Sequence, residues 1–106
     1  MLARRLRLSR QYFSMSKGAR KLSSEHFFLT MSVSEEGQGG CAAAVSKKIA
    51  YKAVDRHRLK RRMLVVMRAW CRADRALIVH ARSGAAALPF RTIVEELGVL
   101  LSRAER

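Results

Sequence analysis

Between Asp55 and Cys71 the chain carries a pattern that leaves little freedom in how it can fold. Leu59, Met63, Val66 and Trp70 recur at helical spacing, within about 60° of arc at 3.6 residues per turn. His57, Arg58, Lys60, Arg61, Arg62 and Arg68 take the opposite arc, and no acid occurs between Arg56 and Arg72. Such a segment is a helix with one side in a core and the other permanently in solvent. Solvated helix faces usually mix signs, because pairs of opposite charge four residues apart stabilise the helix. An arc without acids forgoes that support and suits an external polyanion, since guanidinium groups on a rigid element are pre-organised for a ribbon of phosphates.

Charge along the rest of the chain agrees. The net charge is +14, from 22 Lys and Arg against 8 Asp and Glu, and the pI is near 11.4. Residues 1–24 hold seven basic groups and no acid, residues 47–72 hold ten against Asp55 alone, and from Asp74 onward five face four. A polyanion gains counterion-release entropy on such a surface, so nucleic acid is the first candidate partner and an anionic membrane surface the second. A membrane-surface helix would carry large apolar groups on its outer face. Leu64 and Val65 do fall on the basic arc, but Trp70 lies on the core stripe. No apolar run approaches the ~20 residues needed to span a bilayer. Arg outnumbers Lys, which favours bidentate phosphate recognition and base stacking.

A length of 106 residues suits one domain with function on a surface or shallow groove. Ser9 can cap a short helix over residues 10–17. Phe27, Leu29, Met31 and Val33 then alternate with His26, Phe28, Thr30 and Ser32, a period of two that predicts a strand with one apolar and one mixed face. Residues 34–40, with two Glu and three Gly, read as a hairpin loop into a small-residue strand at 41–46. Asp55 is expected to cap the long helix, and residues 76–82 form another strand. Pro89 opens a last helix whose stripe is Phe90, Ile93, Leu97 and Leu100. The order α-β-β-α-β-α implies an α+β single-domain two-layer α/β sandwich, with the strands on either side of the long helix parallel.

Signals for enzyme chemistry are weak. His26, His57 and His80 are scattered, Asp55 beside His57 reads as a helix cap rather than a catalytic partner, and Glu35 and Glu36 sit in a Gly-rich loop. No HxxxH, DxD or P-loop occurs, so a protein-only metallonuclease is disfavoured. Cys41 and Cys71, thirty residues apart and outside any CxxC, read as reduced structural thiols. The basic N-terminus has transit-peptide chemistry, yet it runs into the first helix without a composition break and is taken as part of the domain.

The run V-S-K-K-I-A-Y-K-A-V-D-R-H-R-L-K-R-R at residues 45–62 resembles the signature of the ribonuclease P protein family. There a VSKK-like strand end leads into an Arg-Asn-Arg helix followed by Lys-Arg. Arg56, Arg58, Lys60 and Arg61 match that motif in order and spacing, and His57 stands where the family usually has Asn. R-L-R-L-S-R-Q-Y at 5–12, R-K-L-S-S-E-H-F at 20–27 and A-R-S-G-A-A-A-L-P-F at 81–90 resemble the family's first helix, first long strand and entry to the last helix. The likeness spans about residues 5–103, in the right order.

The resemblance implies a fold of the ribonuclease P protein type (ribosomal protein S5 domain 2-like) and two RNA surfaces. Lys47, Lys48, Lys52, Arg56, His57, Arg58, Lys60, Arg61 and Arg62 are expected to contact the catalytic RNA. The mixed strand face, with the first helix, is expected to hold the 5′ leader of precursor tRNA. Its candidate residues are Arg10, Tyr12, Ser16, Lys17, Phe28 and Thr30. Tyr12 matches a family aromatic, Ser16 and Thr30 stand where aromatics are usual, and Phe28 could supply a displaced ring. The resemblance also implies Mg2+ held mainly by the RNA subunit, no catalytic residue in the chain, no required protein partner, no membrane and a cytoplasmic location. The rival class is a structural RNA-binding protein, such as a ribosomal protein or RNA chaperone. It shares the charge but needs no open cleft on the mixed face.

Overall fold

Phe27 and Leu29 are fully buried, while Phe28 between them is only half-buried, as the period of two requires. The strand that carries them anchors the architecture. The computed structural model describes residues 20–33 and 39–105. The expected first helix at 10–17 and the acidic loop residues Glu35 and Glu36 lie outside these. The described elements are β1 (Arg20–Ser23), β2 (Phe27–Val33), β3 (Gly40–Ala44), α1 (Ala53–Met67), β4 (Arg75–Ala81) and α2 (Phe90–Ala104). Short 3-10 turns cover Arg68–Trp70 and Ala85–Ala87.

The sheet order is β1-β2-β4-β3, which corrects the expected hairpin between the second and third strands. β4 inserts between them, pairing antiparallel with β2 and parallel with β3. A parallel pair needs a long crossover, and α1 with its flanking turns supplies it. β1, within the stretch at 20–27 that resembles the family's first long strand, is a strand of its own and pairs antiparallel with β2, Leu22 opposite Leu29. The two-layer α+β arrangement therefore stands, with one more strand than expected.

Both helices cover the apolar sheet face, where Leu29, Leu77, Val79 and Cys41 meet Leu59, Met63, Met67, Ile93, Leu97, Leu100 and Leu101. Two stripes differ from expectation. On α1 the buried residues are Leu59, Met63 and Met67, at i, i+4 and i+8 within the regular helix, while Val66 and Trp70 are only partly buried, Trp70 in the 3-10 turn that follows the helix. On α2 Phe90 is 41% exposed, and burial begins at Ile93. A groove of about 700 Å3 lies between the helices, lined by Val65, Trp70, Phe90, Val94 and Val99.

Cys41 and Cys71 are joined as a disulfide, with Cα atoms 5.6 Å apart, which overturns the expectation of two separate thiols. The bridge ties the start of β3 to the end of the α1 turn. Close approach of the same segments also explains Gly39: a Cβ there would stand 2.3 Å from the Arg75 carbonyl oxygen, a distance no side chain tolerates. Arg75 itself donates to the Trp70 carbonyl and to Glu105, closing the far end of α2 onto β4. Its guanidinium holds the Glu105 carboxyl below the ordinary range.

Candidate nucleic-acid interface

The entry to α1 is not capped by Asp55. The helix starts two residues earlier, with Lys52 at the N-cap making no side-chain cap bond. Asp55 falls in the first turn, where a negative charge favours the helix dipole, and it accepts from Arg58 Nη2 at 2.6 Å. Arg56 performs the bracing. Its Nη1 donates to the carbonyls of Ala50 at 3.1 Å and Tyr51 at 2.7 Å, fixing the turn of residues 46–51 against the helix. That nitrogen of Arg56 is therefore committed to the chain's own backbone, a role the sequence motif alone did not disclose.

Around this brace the other basic groups converge. Lys47, Lys48, Lys52, His57, Arg58 and Arg61 are exposed, and Lys60 and Arg62 half-exposed. The Arg56 brace joins the turn to the start of the helix, so the exposed basic groups of the two segments sit on adjoining elements, with Asp55 the one carboxylate among residues 46–62. Lys60 reaches the sheet edge, in a niche of about 380 Å3 that it shares with Ala44, Ser46 and His80. The basic surface thus continues to the mixed face of the sheet.

On that face Ser23, Phe28, His80 and Ala44 stand in one row across the four strands, and Lys21, Thr30, Ile78 and Ala42 in the next. Phe28 and His80 form a tilted ring pair with centroids 6.1 Å apart. Burial pushes the His80 imidazole pKa down, so the ring favours its neutral form and offers a stacking surface rather than a charge. Thr30 lies on the same face, one row along. It is 7% exposed, and Ile78 beside it 5%, so the middle of the face is closed at this row. A small side chain flanked by Lys21 and Ile78, with Phe28 next along the face, has little surface of its own. Arg10, Tyr12, Ser16 and Lys17 lie outside the described residues.

One cluster was missed from sequence because its members are 70 residues apart. Glu96 on α2 accepts from Ser24 Oγ at 2.6 Å and from the His26 backbone N–H at 2.7 Å, and its Oε1 lies 2.7 Å from His26 Nδ1. Burial alone would raise the Glu96 carboxyl, but hydrogen bonds from Ser24 and His26, with the charge on His26, hold it below its ordinary value. The cluster pins the β1–β2 corner to α2, and Arg82 adds a bond to the Ser24 carbonyl at 2.7 Å. Gly84, at φ 89°, brings the following loop so close that a Cβ would meet the His26 ring at 3.2 Å.

Three described acids, Asp55, Glu96 and Glu105, are thus each engaged by a basic side chain. Among the described residues no three His, Cys, Asp or Glu group in a way that could hold a metal ion. None of the described helices is long and apolar enough to cross a membrane.

The family described as Ribonuclease P matches residues 2–105. The ribonuclease P protein of Staphylococcus aureus superposes with a TM-score of 0.77 at 20% identity, covering 97% of this chain and 96% of its own. That of Thermotoga maritima superposes at 0.76 with 24% identity, covering 95% and 97%. A second Thermotoga maritima structure, in complex with 1-(4-fluorophenyl)-2-thiourea, gives 0.71 at 25% identity, covering 92% and 97%. No curated protein sequence matches the chain significantly. At these identities the superpositions carry the fold, and the family match carries the kinship: the chain belongs to the ribonuclease P protein family, the protein subunits of a ribonucleoprotein endoribonuclease.

Proposed function

We propose that the chain binds the catalytic RNA of ribonuclease P through the α1 surface, and steadies the 5′ leader of precursor tRNA against the mixed sheet face, so assisting leader removal. The observation that carries the first part is the merged surface of the 46–51 turn and α1, with six exposed basic side chains and one carboxylate. Counterions released from RNA at such a surface supply affinity without base preference, which suits a protein that holds a structured RNA by its backbone. For the leader, the Phe28–His80 pair offers flat rings, and Lys21 and Lys60 stand to either side of it. Stacking tolerates any base, as leaders of varied sequence demand.

On this reading catalysis belongs to the RNA subunit, which holds the Mg2+, and the chain contributes binding and electrostatic support in the cytoplasm without another protein. A second reading, a structural RNA-binding protein without a leader site, is favoured by one observation: the buried row at Thr30 and Ile78.

The test is salt dependence. Lys47→Ala, Lys48→Ala and Arg61→Ala together should weaken binding to a bacterial ribonuclease P RNA. Each lost phosphate contact should flatten the log–log salt slope by about 0.7 to 0.9. All three side chains are exposed, so the melt should not change. An unaltered slope would mean that this surface does not touch RNA.

A further inference from the structure

Tyr51 is 86% exposed, more than any other large hydrophobic side chain described. Most tyrosines are at least partly buried, so a ring left in water at the centre of a basic surface asks for a ligand. It stands between Lys48 and Lys52, and its own carbonyl accepts the 2.7 Å bond from Arg56, which fixes the backbone that presents the ring. Beside it opens a niche of about 380 Å3 lined by Tyr51, Asp55, Arg58 and Arg62, with Ile49 and Leu59 as its apolar part. Asp55 and Arg58 are already paired at 2.6 Å, so two walls of the niche are set before anything enters. The volume falls in the lower range of small-ligand sites.

We propose that this niche receives one unpaired nucleotide of the partner RNA, its base stacked on the Tyr51 ring and its phosphate on the guanidinium of Arg62. The Asp55 carboxylate faces the same space and accepts from base N–H groups. An aromatic ring, a guanidinium and an acceptor around a nucleotide-sized space are the groups by which single-stranded bases are held. The surrounding lysines make an RNA chain, rather than a free apolar ligand, the occupant that matches the charge. The inference rests on reading the α1 surface as an RNA surface, and adds to it a single-nucleotide site.

The experiment compares the full chain with its Tyr51→Ala and Tyr51→Phe variants. Each is titrated with a bacterial ribonuclease P RNA and with a fully paired RNA duplex that has no unpaired base. Tyr51→Ala should bind the ribonuclease P RNA roughly 5- to 150-fold more weakly, the range of base–aromatic stacking. Tyr51→Phe keeps the ring and should bind like the parent chain. On the duplex all three should bind alike, and all three should melt together, since the ring is exposed. If Tyr51→Ala loses nothing on the ribonuclease P RNA, or loses as much on the duplex, the nucleotide site is overturned while the RNA surface stands. If the parent chain itself does not bind the ribonuclease P RNA, the underlying reading falls and the site with it.

Discussion

Phe27→Ala and Phe28→Ala should have opposite consequences, although the two residues are neighbours. Phe27 is fully buried on the helix-covered face of β2, packed with the core that also holds Leu29 and Val79. Truncating a buried Phe typically costs about 3–5 kcal/mol through lost transfer energy and the cavity left behind. In a domain of this size each kcal/mol lowers the melting temperature by roughly 4–8 °C, so a fall on the order of 15 °C or more is expected. Phe28 points to the other face, half-buried beside His80. Its truncation should lower the melt far less. It should instead weaken holoenzyme binding of precursor tRNA by about 1–3 kcal/mol, with mature tRNA unaffected because it has no leader to stack on the ring. Paired melts and affinities for the two substrates check this. A uniform loss for both tRNAs, with a melt lowered as far as that of Phe27→Ala, would assign Phe28 to the core and remove the leader site.

The second large effect concerns the Cys41–Cys71 bridge. It closes a loop spanning 30 positions that contains all of α1. The chain-entropy account gives about 3–4 kcal/mol for a loop of that length. Reduction with dithiothreitol, or Cys41→Ser with Cys71→Ser, should therefore lower the melting temperature by more than ten degrees, roughly. Cys41 is 2% exposed, so alkylation should be run under denaturing conditions. Without reductant no thiol should react, and with it both should. Two reactive thiols in the unreduced chain and an unchanged melt would show that the bridge does not hold the protein in solution. In a reducing compartment the sulfurs would sit as thiols near the core, and α1 would be held chiefly by the packing of Leu59, Met63 and Met67, with the Arg56 brace at its start.

What the sequence made legible was local and periodic. The alternation through β2 and the acid-free arc of α1 both follow from side-chain direction within one element, and a sequence displays that directly. Strand order does not show in this way. Nothing in residues 34–40 distinguishes a hairpin from a crossover, and the insertion of β4 between β2 and β3 depends on pairing with a strand that follows α1 in the chain. The cross-strand neighbours of Thr30, Lys21 on β1 and Ile78 on β4, likewise come from other strands and cannot be read from β2 alone. The His26–Glu96 pair spans 70 residues and has no spacing to betray it. Arg56 carries a different lesson. The motif marks it as basic and conspicuous, but only the carbonyls of Ala50 and Tyr51, turned toward it, reveal a brace. Tyr51 leaves a signal in the sequence, an aromatic among lysines just before a basic helix, but the ring belongs to no periodic pattern that would single it out.

On the proposed function, the chain acts on precursor tRNA only as a partner of catalytic RNA. Reconstitution of the full chain with a bacterial ribonuclease P RNA, followed by precursor-tRNA cleavage at low magnesium, tests it most directly. Cleavage by the RNA should rise sharply when the chain is added, and none should occur when the RNA is omitted. An RNA that cleaves no better with the chain than without it, or a chain that cleaves precursor tRNA alone, would contradict the account.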